Sequence, residues 1–154
     1  MGGRQVAGGW SRESAVADRP QMVFGATAFF ERTFEETLRL CRETRDYMLD
    51  NGPPAPDAPL SDQLAFCVES MRLTARLTQV MAWLLAQRAA AAGEITADEL
   101  AGAAWRLAGH TVCLAQPAAP AERLPARLRE LLERGDRLYR RIARLDDMVA
   151  GGRA

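Results

Sequence analysis

The chain carries three cysteines, Cys41, Cys67 and Cys113, and a single histidine, His110. A nucleophilic thiol needs a base and a third group that orients the base. Only His110 could serve as an imidazole base, either to Cys113 three residues away or to Cys41 or Cys67 brought near by folding. Cys41 and Cys67 fall inside apolar stripes, where a thiol behaves as a small hydrophobe with a raised pKa, so both read as core residues. His110 and Cys113 could offer two metal ligands from one helix, whereas a structural zinc site wants four. The carboxylates do not form the inward-facing Glu-x-x-His sets that bind metal pairs in bundles. The Gly pairs at 8–9 and 151–152 lack the strand and helix that a phosphate-cradling loop requires. No catalytic residue, metal or cofactor is expected, and the chain does not read as an enzyme.

The elements that would position any such residues are helices. At 154 residues and 48% hydrophobic, the chain suffices for one domain with a real core and is short for two. Lys+Arg and Asp+Glu balance at 20 each, so no net charge draws the molecule to nucleic acid or anionic lipid. Every basic residue is Arg, which suits bidentate carboxylate or phosphate contacts but is explained by biased codon usage. Three scattered cysteines and no signal peptide point to a reducing cytosol. The apolar run VMAWLLA is far too short to span a bilayer.

The opening MGGRQVAGGWSRESAVADRPQM has no period, so residues 1–26 are expected to form a flexible tail in which Trp10 is a stray aromatic. A single helical-bundle domain follows over 27–150, with a C-terminal tail at 151–154. The first helix is predicted over about 27–49, with Phe30, Phe34, Leu38, Cys41 and Met48 on one stripe; Asn51-Gly52 and the prolines of PPAPDAP end it. The second is predicted over about 61–92, capped by Ser61 or Asp62 and stopped by Gly93. Thr96 and Glu99 form a capping box that opens a shorter third helix over about 97–114, whose stripe is made mostly of small residues. The last, over about 125–149, places Leu128, Leu131, Gly135, Leu138, Ile142 and Leu145 at alternating three- and four-residue steps, a coiled-coil seam. Gly135 interrupts that seam and is tolerable there if a neighbouring helix approaches closely. The fold class is all-α: an antiparallel bundle of three long helices plus the shorter helix.

The second long helix has too much apolar surface for one neighbour. At 100° per residue, Leu64, Cys67, Val68, Met71, Ala75, Thr78, Ala82 and Leu85 form one stripe. Phe66, Leu73, Leu77, Val80 and Leu84 form another, a dimer or inter-helix stripe, and the two together cover about two-thirds of the circumference. Such a helix wants company on both sides, so a homodimer is expected. Its polar arc carries Arg72, Arg76, Gln79 and Trp83. Trp and Arg dominate binding hot spots, so these four form a candidate partner-binding patch, unless another element of the chain covers Trp83.

The blocks ESMRLTARLTQVMAWLLAQRA, GEIT and LPARLRELLERGDRLYRRIARLD resemble the regulator of CtrA degradation (RcdA) family, small bacterial helical proteins long catalogued as a domain of unknown function. The resemblance covers about residues 29–145. It implies a homodimeric bundle of three long helices and a non-enzymatic adaptor role. In that role the protein helps deliver the cell-cycle transcription factor CtrA and other clients to the protease ClpXP, together with a receiver-domain protein.

Three readings compete. The first is a cytoplasmic, dimeric adaptor of ATP-dependent proteolysis, acting by protein–protein contacts with no direct nucleic-acid or membrane partner. The second is a small-ligand- or metal-binding bundle with His110 and Cys113 near its site. The third is a structural dimer that partners a DNA-bound regulator.

Overall fold

The structure, a computed structural model, describes residues 23–151. Residues 1–22, with Trp10, and 152–154 lie outside the described residues, and residues 23–26, expected in the tail, are instead the start of the first helix. In chain order the elements are α1 (Val23–Asn51), α2 (Leu60–Ala91), α3 (Ala97–Leu100), α4 (His110–Cys113) and α5 (Ala126–Gly151), with short 3-10 turns at Ala103–Trp105 and Ala121–Arg123. No strand occurs among the described residues. The architecture is all-α, three long helices packed on one another with two single-turn helices between the second and the last.

The ends of the long helices follow from local chemistry. At the end of α1 the Asn51 side-chain amide donates to the Tyr47 carbonyl, and Gly52 takes a positive φ of 56° before the prolines begin. α2 starts one residue earlier than expected and without a side-chain cap, after Pro59. Its candidate caps are engaged elsewhere: Arg123 donates to Ser61 Oγ at 2.6 Å and pairs with Asp62 at 2.6 Å. The C-terminus of α2 closes by a pair of reversed hydrogen bonds, Gly93 N–H to Ala90 O and Glu94 N–H to Ala89 O, with Gly93 at φ 77°. Left-handed backbone at that position is cheap only for glycine.

Cross-helix contacts fix the directions. Glu43 of α1 meets Arg127 and Arg134 near the start of α5, while Glu36 meets Arg141 further along, so α1 and α5 are antiparallel. Phe30 packs on Trp83 and Arg88 lies over Phe34, setting the start of α1 against the end of α2. α2 and α5 run in the same direction: Arg76 pairs with Asp136, and Trp83 bonds Asp146. A parallel pair cannot be joined by a tight turn, so the chain between Ala92 and Pro125 must travel back along the bundle. This returning segment is called the strap below.

The core lies between α2 and α5 and is roofed by α1. Leu73 and Val80 of α2 and Leu128, Leu131 and Ile142 of α5 are fully buried, and the α5 seam behaves as its spacing predicts. Gly135 sits against Leu73 and Arg76 of α2. A Cβ there would lie 2.8 Å from Leu73 Cδ1, which explains a glycine inside an otherwise regular helix.

The third predicted helix is corrected. Residues 97–114 are not one helix: α3 keeps the expected capping box, with Thr96 Oγ1 accepting from Glu99 N–H and Glu99 Oε2 accepting from Thr96 N–H, but it ends after one turn. Gly102 and Gly109 interrupt the segment, the latter at φ 81°. A stripe of small residues gives a helix little to bury, and here the backbone carbonyls find side-chain donors on α2 and α5 instead. Leu100, Leu107 and Cys113 anchor the strap as single buried side chains.

Candidate functional site

On α2 the residues Glu69, Arg72, Arg76 and Trp83 recur at three-, four- and seven-residue steps and form one line along the helix. Arg72, Arg76, Gln79 and Trp83 are the expected partner-binding patch. The structure places three of them inside the molecule: Trp83 is 2% exposed, Arg72 6% and Arg76 7%, and Gln79 is half-buried. Of the two alternatives open in the sequence, the structure takes the one in which other elements of the chain cover Trp83, and these side chains have their partners in this chain.

Those partners are the strap and α5. Glu69 receives both hydrogen bonds of an Arg72 terminal nitrogen, at 2.7 and 2.6 Å, and its Oε1 also accepts from Ala118 N–H at 2.6 Å. Arg72 donates onward to Gln116 O at 3.0 Å. Arg76 spreads its guanidinium over three acceptors: Cys113 O at 2.9 Å, Leu132 O at 3.3 Å and Asp136 Oδ1 at 2.8 Å. Burial draws its pKa below the ordinary arginine value, and Asp136 opposes the shift. The side chain of Gln79 lies where Gly109 passes, and a Cβ there would come within 3.2 Å of Gln79 Cγ. Trp83 Nε1–H donates to Asp146 Oδ1 at 2.9 Å, and Arg106 of the strap holds Asp146 Oδ2 at 2.7 Å. Tyr139 donates to Ala108 O at 2.7 Å. The polar arc of α2 is thus a clasp for backbone: buried charges are tolerable because each is paired and hydrogen-bonded.

His110 and Cys113 do come close to each other's surroundings, but not as a reactive pair. Cys113 is fully buried, and desolvation pushes its thiol pKa up, away from thiolate. His110 is exposed and stacks edge-on against Tyr139. Cys41 is half-buried, and Cys67 is exposed rather than in the core. Among the described residues no three His, Cys, Asp or Glu side chains are grouped to hold a metal ion.

The two apolar stripes of α2 part company. Phe66, Leu73, Leu77, Val80 and Leu84 are all buried within this chain, so they are inter-helix contacts and not a dimer surface. The other stripe is bare. Leu64 is 55% exposed, Met71 71% and Leu85 49%, with Val68 and Cys67 also open. A cleft of about 570 Å³ runs beside it between α1 and α2, lined by Cys41, Met48, Thr74, Met81 and Leu85 among others. Sequence periodicity identifies this stripe but gives no sign that it faces outward; the missed signal is the buried-type pairing of Glu69 with Arg72 on the opposite arc.

The bundle spends the polar arc of α2 on holding its own strap and leaves one apolar stripe of that helix open, as contact surfaces do. Residues 22–154 match the model of the family described as Protein of unknown function (DUF1465). The chain is also similar to the crystal structure of RcdA from Caulobacter crescentus CB15, with 36% identity and a TM-score of 0.60 over 78% of this chain and 89% of that one. The chain belongs to the RcdA family. No curated relative matches its sequence. No helix among the described residues is long and apolar enough to cross a membrane.

Proposed function

We propose that this protein is a non-enzymatic regulator of ATP-dependent proteolysis, an adaptor that helps deliver cell-cycle regulators such as CtrA to a ClpXP-type protease in the cytoplasm. It works as a homodimer paired through the bare stripe of α2. The observation that carries this reading is that stripe, Leu64 to Leu85, on a bundle 36% identical to RcdA. Exposed apolar side chains at helical spacing beside a cleft mark a contact surface, and a twofold pairing of like stripes would cover both copies at once. Receiver-domain and protease partners would then meet the dimer elsewhere on its surface.

The test is reconstitution. Purified protein added to ClpXP and a candidate client should accelerate client loss on a gel time course, and Met71→Glu should abolish both that acceleration and the dimer seen by light scattering. Unchanged client half-life at saturating protein, across a panel of cell-cycle regulators captured from the native cell, overturns the adaptor reading.

A further inference from the structure

On a different side of α2 from the bare stripe lies an open groove of about 750 Å³ between the strap and α5. Its floor is apolar, formed by Leu114, Ala119, Leu124 and Leu132. Its walls are rich in arginine. Five arginines line it (Arg72, Arg76, Arg129, Arg137 and Arg140) against three carboxylates (Glu69, Glu133 and Asp136), an excess of two positive charges in a chain with none overall.

The pairing inside the groove leaves the excess at Arg129 and at the two cations that share Asp136. Glu69 is consumed by Arg72 and Ala118 N–H. Asp136 is shared by two cations, Arg76 at 2.8 Å and Arg140 at 2.8 Å. Arg137 meets Glu133 only at 4.0 Å with both side chains largely exposed. Arg129 makes no side-chain ion pair among the described residues. Its guanidinium, with the loosely paired one of Arg137, is placed to take an anion from outside.

We propose that this groove docks a short, extended acidic segment of a partner protein. Arg129, Arg137 and Arg140 lie on one face of α5 and span about 16 Å at 1.5 Å per residue. A single phosphate or small carboxylate reaches only a fraction of that rail, whereas about five extended residues at roughly 3.3 Å each match its length. Acidic side chains meet the arginines, whose planar forks suit carboxylates. Small apolar side chains between them rest on Leu114, Leu124 and Leu132. The strap wall is itself fixed by Glu69, Arg72 and Arg76, so the groove is preformed and its occupant does not have to order it. The proposal concerns binding alone and stands whether or not the bound protein is delivered to a protease.

Fluorescence anisotropy on the full chain tests it, with a labelled six-residue peptide alternating Glu or Asp with Ala or Leu and its Gln/Asn counterpart as control. The acidic peptide is expected to bind, to weaken as salt rises, and to lose about tenfold in affinity to the double variant Arg129→Glu/Arg137→Glu. Neither side chain holds the fold, and circular dichroism of the variant should match the parent. Equal binding of the Gln/Asn peptide, an unaltered affinity in the double variant, or displacement of the peptide by equimolar inorganic phosphate would each overturn the proposal.

Discussion

The two sides of α2 invert the usual rule. One arc carries Glu69, Arg72, Arg76 and Trp83 and is buried beneath the strap and α5; another carries Leu64, Val68, Met71 and Leu85 and stands in the open. Polarity alone does not decide which side of a helix faces water. The polar arc is buried because every charge on it meets an acceptor or donor supplied by the strap or α5, and the strap needs those groups because its backbone is not helical enough to satisfy itself. The apolar arc stays open because α1 and α5 together have already covered the other stripe of α2.

This contrast can be broken first at the buried pair. Glu69→Ala leaves Arg72 charged and unpaired in the interior and frees Ala118 N–H, and should cost about 3–5 kcal/mol in urea unfolding, enough to threaten the fold. Trp83→Phe keeps the aromatic bulk beside Phe30 but removes the donor to Asp146; a loss of about 1–3 kcal/mol in the same measurement is expected. A milder effect comes from the ion pairs that join α1 to α5. The hydrogen bond from Arg134 holds the Glu43 carboxyl below its ordinary value of 4.5. Because the folded-state pKa is depressed, this contribution is fully present above that value and is lost as pH falls through the folded one. Glu43→Gln should therefore cost under about 1 kcal/mol at neutral pH and flatten the acid limb of a stability–pH curve. The smallest effect sharpens the comparison from the other side: Met71→Glu should leave single-chain stability within about 0.5 kcal/mol, since the side chain is 71% exposed. A large loss of stability in that variant at concentrations where the parent is monomeric would show that the stripe is covered within one chain.

Much of the fold is legible in the residues. The Asn51-Gly52 stop, the Gly93 terminus, the capping box at Thr96 and Glu99 and the α5 seam are local, set by backbone geometry and by periods of three and four. Gly135 is legible too, as a glycine whose cost in a helix makes sense only where Leu73 presses in. The strap is not. Its capping box promises a helix, but the segment breaks at Gly102 and Gly109, and the carbonyls of Ala108, Cys113 and Gln116 further on are taken by Tyr139, Arg76 and Arg72. Whether the patch at Arg72, Arg76, Gln79 and Trp83 is covered is not legible for the same reason, since a sequence shows donors and acceptors but not the distant backbone that completes them.

What the sequence determined by itself is the set of three long helices, their ends and the surplus of apolar surface on the second, because these depend on contacts a few residues apart. Which stripe of that helix would be covered, and whether its arginines would face water or a returning chain, was decided only by the tertiary structure. The parallel run of α2 beside α5 forces the chain between them to double back, and burial of a charge is settled by partners some forty to sixty residues away in sequence.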